Sequence, residues 1–170
     1  MDTGSTGCHV KMVIDARLVE EQSCVGDGYR PVFDCGGWRV ATLGYCSDCS
    51  PENVKSMQRH DETDEMFVLL AGRCILFAGE GSQSVTAIHA RDMEPLRVYN
   101  VKRSVWHTHV LSKDAVVLII EGRDTAPLNS PECPLSDAQI TELRRAVAQL
   151  WRYPAVSEDR NGEADARPGR

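Results

Sequence analysis

Short apolar runs separated by turn-forming residues fill the middle of the chain. Trp38–Tyr45 is rich in residues that favour strands and follows two glycines, so it predicts a strand. Glu65–Ala71 is apolar on both faces, as in a strand that lines a barrel and packs beneath a second layer, and Gly72 ends it. Further strands are predicted at Cys74–Ala78, Val85–Ala90, Leu96–Val101, Val105–Leu111 and Ala115–Glu121. This even spacing of strands and turns is typical of a sandwich or barrel.

The connections and the C-terminal part carry their own signals. The polar link Ser112–Asp114 between the last two strands predicts a hairpin. Three prolines then interrupt regular structure at positions 127, 131 and 134. Ser136 and Gln139 form a capping box, and apolar residues follow at helical spacing, so a helix is predicted to about Arg152.

The chain divides into four parts on these patterns. Residues 1–30 are an N-terminal extension, with a short strand predicted at Val10–Ile14, that contributes to the sheet or to a dimer. Residues 31–125 form the barrel, and residues 126–155 form the Pro-rich connector and the helix. Residues 156–170 are charged and poor in apolar side chains, which predicts a disordered tail.

Composition narrows the function. The 170 residues are 42% hydrophobic and 26% charged, as in an ordinary globular protein. A net charge of −6 without a basic cluster argues against nucleic-acid binding. No apolar run approaches the roughly 20 residues of a membrane helix. The N-terminus lacks the features of a signal peptide, so a cytoplasmic location is predicted.

The chain has seven cysteines, which cannot all pair because their number is odd, and no export signal is visible. Reduced thiols are therefore expected. Cys46 and Cys49 have the C-x-x-C spacing of redox and zinc motifs. A second pair, which a four-cysteine zinc site requires, is missing. The single pair is weak support for either chemistry.

The segment from Gln58 to Gly72 carries the most informative pattern. It resembles the first motif of the cupin superfamily, in which two histidines one residue apart precede a glutamate and a strand that ends in glycine. His60 matches the second histidine, Glu65 the glutamate and Gly72 the glycine. Gln58 occupies the position of the first histidine, which is the main departure.

The segment Tyr99–His107 resembles the second cupin motif, which places a histidine at the start of a strand. His107 matches that histidine, whereas Lys102, Ser104 and Leu111 replace the usual proline, glycine and asparagine. The resemblance covers about residues 38–123. It implies an all-β fold, a cupin-type antiparallel β-barrel (double-stranded β-helix or jelly roll), to which the sequence pattern adds a C-terminal α-helix.

The matched residues suit a metal site. A catalytic divalent metal needs about three imidazole or carboxylate ligands and open positions for water or substrate. His60, Glu65 and His107 would supply them, with the amide oxygen of Gln58 as a weaker fourth ligand. Mn, Fe, Ni and Zn all accept such a set. The alternative is that His60 is a solvated loop residue in a cupin that binds no metal.

Three further residues are candidates for the catalytic site. His109 shares strand parity with His107, so it is predicted to face the same way and to act as a general base or substrate contact. The alternative is that strand twist leaves His109 at the solvent rim. Tyr99 and Lys102 come shortly before His107 of the second motif, where a cation could hold an acidic substrate or simply be surface charge.

Two main functions follow. The resemblance and the ligand set favour a small-molecule-binding cupin that works as a metal-assisted lyase, isomerase or oxygenase on a small polar metabolite, such as a carboxylate or carbohydrate-like compound. Asp64-Glu65 and Trp106-His107 are loosely similar to small cupins related to ureidoglycolate lyase. The alternative is a non-catalytic binding or sensor module with a degenerate metal site, which the loss of the first histidine favours.

The N-terminal third has apolar residues without an obvious place in one small barrel: Val10, Met12, Val13, Ile14 and Val32. Together with open strand edges, they predict a homodimer. Alternatively, they extend the monomer's own sheet.

Overall fold

The computed structural model describes residues 13–152. Within that range the strands are β1 (Tyr29–Cys35), β2 (Trp38–Gly44), β3 (Ser56–Gln58), β4 (Glu65–Ala71), β5 (Cys74–Glu80), β6 (Ala87–Asp92), β7 (Val98–Val101), β8 (Trp106–Leu111), β9 (Val116–Gly122) and β10 (Glu132–Pro134). A helix, α1 (Asp137–Arg152), follows them. A single 3-10 turn, Ser47–Cys49, lies between β2 and β3.

The strands form two five-stranded sheets, in the orders β1-β2-β9-β4-β7 and β10-β3-β8-β5-β6. From β2 to β9 the chain is one long antiparallel ribbon, in which β2 pairs with β9, β3 with β8, β4 with β7, and β5 with β6. Rolling up this ribbon also places β4 beside β9 and β5 beside β8. That strand order defines a jelly roll, so the predicted double-stranded β-helix with a C-terminal helix is confirmed.

The predicted hairpin at Ser112–Asp114 is wrong. The link turns tightly, since the N–H of Ala115 donates to the carbonyl of Ser112 at 3.0 Å. However, β8 and β9 lie in different sheets, so the turn crosses the end of the barrel. The backbone N–H of Arg73 donates to the Ser112 hydroxyl at 2.8 Å, which fixes this crossing.

Two apolar layers stabilise the fold. The inner layer fills the barrel between the sheets and includes Phe67, Leu76, Leu111 and Ile119. The outer layer lies between the second sheet and α1 and includes Phe77, Trp106, Val110, Leu143 and Val147. Strand β8 contributes alternate residues to the two layers, as its pleat requires.

Strand β4 has the predicted bounds, but the second layer expected over it is absent from the described part of the chain. Its side chains alternate between buried and partly exposed, and Leu70 is 38% exposed. The reason is that α1 packs on the other sheet. Gly72 ends the strand at φ +67°, where a Cβ atom would lie 2.6 Å from the backbone of Ala115. Only glycine fits this close approach without strain.

Predictions near the two ends of the described chain are confirmed in part. The capping box is confirmed, because the N–H of Ser136 donates to Oε1 of Gln139 at 2.9 Å and the N–H of Gln139 donates back to the hydroxyl at 3.3 Å. Val13 and Ile14 are exposed and lie outside strands, whereas Val32 is half-buried in β1, which extends the first sheet. Val10, Met12 and the predicted tail lie outside the described residues.

Several strand limits also differ. Strands β6 and β7 begin two residues later than predicted, and β5 ends at Glu80, two residues later than predicted. Strands β1, β3 and β10 were not predicted. Over residues 13–152, the one helix is too short and too polar to cross a bilayer.

Candidate metal centre

Two adjacent strand ends bring the motif residues together. Glu65 is the first residue of β4, and His107 is the second residue of β8. Both side chains point into the barrel, because Phe67 and Leu111, which share their parity, belong to the inner layer. The sequence therefore builds this end of the barrel from polar groups placed directly above an apolar core.

His60 reaches the same place from the loop between β3 and β4. Its carbonyl accepts a hydrogen bond from the N–H of Ser104 at 2.8 Å. The residues on either side of it donate their N–H groups to carbonyls of the segment 129–131, at 3.2 and 3.0 Å. These bonds fix the loop, so the backbone positions the imidazole.

The three side chains are buried and in contact. His60 is 6% exposed, Glu65 4% and His107 1%. Oε2 of Glu65 lies 3.1 Å from Nε2 of His60 and 2.8 Å from Nε2 of His107. One ligand atom from each residue lies within 4.8 Å of the other two, and no other such group occurs among residues 13–152.

The second ring nitrogen of His107 defines its tautomer. Nδ1 lies 3.0 Å from the carbonyl oxygen of Val105. A carbonyl only accepts, so the proton of the neutral ring is on Nδ1 and the lone pair is on Nε2. This lone pair faces Glu65, and Nε2 makes no hydrogen bond of acceptable geometry.

The same reasoning applies to His60. Its Nδ1 lies 2.8 Å from the hydroxyl of Ser130, which donates its own proton to Oδ1 of Asn129 at 3.3 Å. Oδ1 of Asn129 also accepts from the N–H of Ala126 at 2.8 Å, which identifies it as the oxygen of the amide. The Ser130 oxygen therefore accepts from Nδ1 of His60, and the Nε2 lone pair again faces Glu65.

The residues present fit a divalent metal ion. Two imidazole lone pairs and a carboxylate oxygen converge, and such a buried group requires a cation, either a metal or an added proton. Ligands about 2.1 Å from a metal and about 90° apart lie about 3.0 Å from each other, which is close to both contacts of Glu65. Hydrogen bonds from the outer nitrogens to a carbonyl and a hydroxyl are those that orient metal-binding histidines.

The electrostatics of the cluster agree with this. Burial by itself raises the pKa of Glu65, but the contacts with His107 and His60 outweigh it and lower the pKa to about 2. Glu65 is therefore a carboxylate at neutral pH. Burial opposes protonation of His60, yet the adjacent carboxylate raises its pKa overall. The site attracts positive charge, which a proton or a metal can supply.

His109 lies near the cluster without joining it, whereas Gln58 stays a predicted fourth ligand. Gln58 pairs directly with His107 across β3 and β8, so both project from the same face of the sheet. His109 is half-buried opposite Leu76, with its ring centroid 6.3 Å from that of Phe67. Burial lowers the pKa of His109 to about 4, so it is a neutral imidazole.

Tyr99 and Lys102 make contacts with residues outside the cluster. Tyr99 opposes Phe67 in the first sheet, and its hydroxyl accepts from the N–H of Glu94 at 2.9 Å. Lys102 is exposed and contacts Oδ2 of Asp64 at 3.2 Å. Both groups therefore make local contacts that account for their positions.

Sequence reasoning missed Glu121, a buried carboxyl on β9. It shares strand parity with Ile119 of the inner layer and accepts a hydrogen bond from the hydroxyl of Tyr29. Burial, together with the charge of Glu65, raises its pKa. An inward-facing acid at the end of an apolar run is a signal that could have identified it.

A pocket of about 190 Å³ reaches His60 from the surface. Its wall includes Thr63, Arg123, Asp124 and Asn129, so it offers donors, acceptors and charges of both signs. Asn129 also belongs to the hydrogen-bond chain behind His60. The pocket is of a size and polarity that suit a small polar molecule.

No protein-family model and no curated protein matches the sequence. Among solved structures, a cupin-2 domain containing protein from Shewanella frigidimarina is 15% identical, with a TM-score of 0.42 over 56% of this chain and 80% of that chain. A Streptomyces PAC13 variant with uridine is 6% identical, with a TM-score of 0.46 over 63% and 76%. FeII HppE is 14% identical, with a TM-score of 0.45 over 55% and 48%.

These likenesses are too distant to indicate a function. The fold assignment is based on the chain's own strand order, in which β2-β9-β4-β7 faces β3-β8-β5-β6. That order is the jelly roll of the cupins, so the chain has a cupin-type fold.

Proposed function

We propose that this chain is a metal-dependent enzyme that acts on a small polar metabolite. His60, Glu65 and His107 would hold one divalent transition metal ion. The observation that carries the proposal is the convergence of Nε2 of His60 and Nε2 of His107 on a buried carboxylate oxygen of Glu65, at 3.1 and 2.8 Å. Hydrogen bonds at both outer Nδ1 atoms hold the two rings so that their Nε2 atoms face the carboxylate, where an ion would bind.

The donor set limits the metal and the reaction. Two imidazoles and one carboxylate are accepted by Mn, Fe, Ni and Zn, and in this arrangement they are the ligands of many iron(II) oxygenases. When bound, a divalent ion supplies Lewis-acid polarisation of a substrate oxygen, as a lyase or isomerase requires. We therefore propose a lyase, an isomerase or an oxygenase.

Other residues of the chain would act on the substrate itself. The polar pocket would bind the substrate through groups such as Arg123 and Asn129, next to His60. Glu121, whose raised pKa favours its protonated form, would donate a proton, with Tyr29 holding the carboxyl in place. His109, neutral and facing the barrel, is a candidate substrate contact.

The test is metal-dependent turnover of small metabolites. The metal-loaded protein is incubated with a mixture of carboxylates and carbohydrate-like compounds, and depletion is followed by mass spectrometry. We expect one compound or compound class to be consumed by the wild type and to persist with Glu65→Gln. Equal depletion by both proteins would reject the assigned site.

A second function is favoured by one observation. Gln58 takes the place of a histidine and lies directly opposite His107, so the first ligand of the motif is lost. A non-catalytic binding or sensor module would then use the same pocket. In that case a metabolite should raise the melting temperature without being consumed. A homodimer and a cytoplasmic location stay predictions in both cases.

A further inference from the structure

Two thiols touch in the turn between β2 and β3. The Sγ atoms of Cys46 and Cys49 are 3.0 Å apart. Bonded sulfurs are about 2.05 Å apart, so joining them needs a movement of only about 1 Å. The 3-10 turn holds them in place, because the N–H of Cys49 donates to the carbonyl of Cys46 at 3.0 Å and the Asn53 side chain donates to the carbonyl of Ser47 at 2.9 Å.

The two thiols have different surroundings. Cys46 is half-buried, so a small molecule can reach it. Cys49 is 5% exposed and packs in the inner apolar layer, which also contains Cys74. Burial is the main reason that the pKa of Cys49 is raised to about 12. An accessible sulfur thus lies in contact with a protected one.

A metal does not account for this pair. Zinc sites need about four ligands, or three and a water. Within residues 13–152, no third Cys, His, Asp or Glu ligand atom lies within 4.8 Å of both thiols. The remaining chemistry of two adjacent thiols is oxidation to a disulfide.

We propose that Cys46 and Cys49 form a redox-active dithiol that low-molecular-weight disulfides oxidise to an intramolecular disulfide. This site is independent of the metal centre. The Cys46 thiolate attacks one sulfur of glutathione disulfide, the glutathione S–S bond breaks, and the first glutathione leaves as a thiolate that takes up the proton lost by Cys46. Cys46 then carries a mixed disulfide.

Cys49 completes the reaction. Its sulfur, on loss of the proton, attacks the Cys46 sulfur, and the second glutathione leaves with a proton. Two protein thiols are oxidised and one glutathione disulfide is reduced to two glutathione molecules. Contact between the sulfurs compensates for the small thiolate fraction of Cys49, because the step is intramolecular.

The sequence offers a clean readout. Trypsin cleaves after Arg39 and Lys55, and the peptide of residues 40–55 contains Cys46 and Cys49 as its only cysteines. The reduced full-length protein is equilibrated in glutathione buffers that contain an increasing fraction of glutathione disulfide. Free thiols are then trapped with N-ethylmaleimide, and the masses of the tryptic peptides are measured by mass spectrometry. We expect this peptide to lose two hydrogen atoms and both alkyl groups while the peptide that contains Cys74 stays alkylated.

Two variants test the order of the steps. In Cys49→Ala, glutathione should accumulate on Cys46, because the thiol that would displace it is missing. In Cys46→Ser, Cys49 should stay alkylated without a glutathione adduct. The proposal is overturned if the wild-type peptide 40–55 is doubly alkylated in every buffer, or if it carries a stable glutathione. The wild-type result decides the matter even if a variant fails to fold.

Discussion

Glu65→Gln separates the role of Glu65 in metal binding from its role in the fold. Glutamine has almost the same size, and its amide N–H can donate to one of the Nε2 lone pairs that face Glu65 at 2.8 and 3.1 Å. A charged hydrogen bond contributes about 1.5–3 kcal/mol and a neutral one about 1 kcal/mol. We therefore expect the metal-free variant to lose no more than about 2 kcal/mol in its free energy of unfolding.

Metal affinity should respond far more strongly. Loss of a group that only orients a ligand weakens metal binding about 10–100-fold, and Glu65→Gln removes the ligand's charge itself. We expect a loss of at least about 100-fold in Kd, or ~2.8 kcal/mol. The assay is titration calorimetry with Mn²⁺ or Zn²⁺, beside urea denaturation of the metal-free proteins.

Gln58→Ala is the matched control for this prediction. Gln58 projects from the same face as His107 but would contribute only a neutral amide oxygen, so its loss should weaken binding by less than about tenfold. Equal affinities of the two variants would refute the reasoning that makes Glu65 a ligand. So would a Glu65→Gln variant that binds the metal as tightly as the wild type.

Three further predictions follow from the structure. His107→Ala should lose the metal and His109→Ala should keep it, which metal analysis of both variants checks. The reverse result would mean that the ligand on β8 is His109, two residues further along the strand. Ser130→Ala removes the hydroxyl that orients one imidazole, so metal affinity should fall about 10–100-fold by calorimetry, and an unchanged affinity would argue against that tautomer. Gly72→Ala should destabilise the fold by about 1–3 kcal/mol in urea denaturation, because its Cβ would lie 2.6 Å from the Ala115 backbone at a positive φ, and full stability would contradict the tight crossing.

The sequence correctly predicted those parts of the fold in which neighbouring residues form a strong pattern of apolar and polar positions. Strand β4 is a run of apolar residues that ends at a glycine, and its bounds agree with the prediction. The capping box at Ser136 and the apolar spacing behind it locate α1. In both cases nearby residues carry enough information to define the element.

The errors arise where partners are distant in sequence. The link at Ser112–Asp114 predicts a hairpin because a tight turn joins two strands. However, β8 pairs with β3 and β5, whereas β9 pairs with β2 and β4 in the other sheet. Strands β3 and β10 have three residues each and form an edge pair, Met57 opposite Cys133, that no local pattern reveals. Long-range pairing, not propensity, makes these residues strands.

The candidate site was predictable only in part for the same reason. The motif spacing indicated His60, Glu65 and His107, which the fold brings into contact. Glu121 stands at the end of an apolar run, but its place beside the cluster depends on the pairing of β9 with β4. The tautomers depend on Ser130 and on a backbone carbonyl, which sequence cannot place.

The most direct test of the central claim is elemental analysis of the wild type and of Glu65→Gln, both purified without added metal and without chelator. We predict about one divalent transition metal ion per chain in the wild type and a clear loss in the variant, as expected for a site with three protein ligands. The account would be contradicted by a wild type that contains no metal and that binds none of Mn, Fe, Ni and Zn on titration.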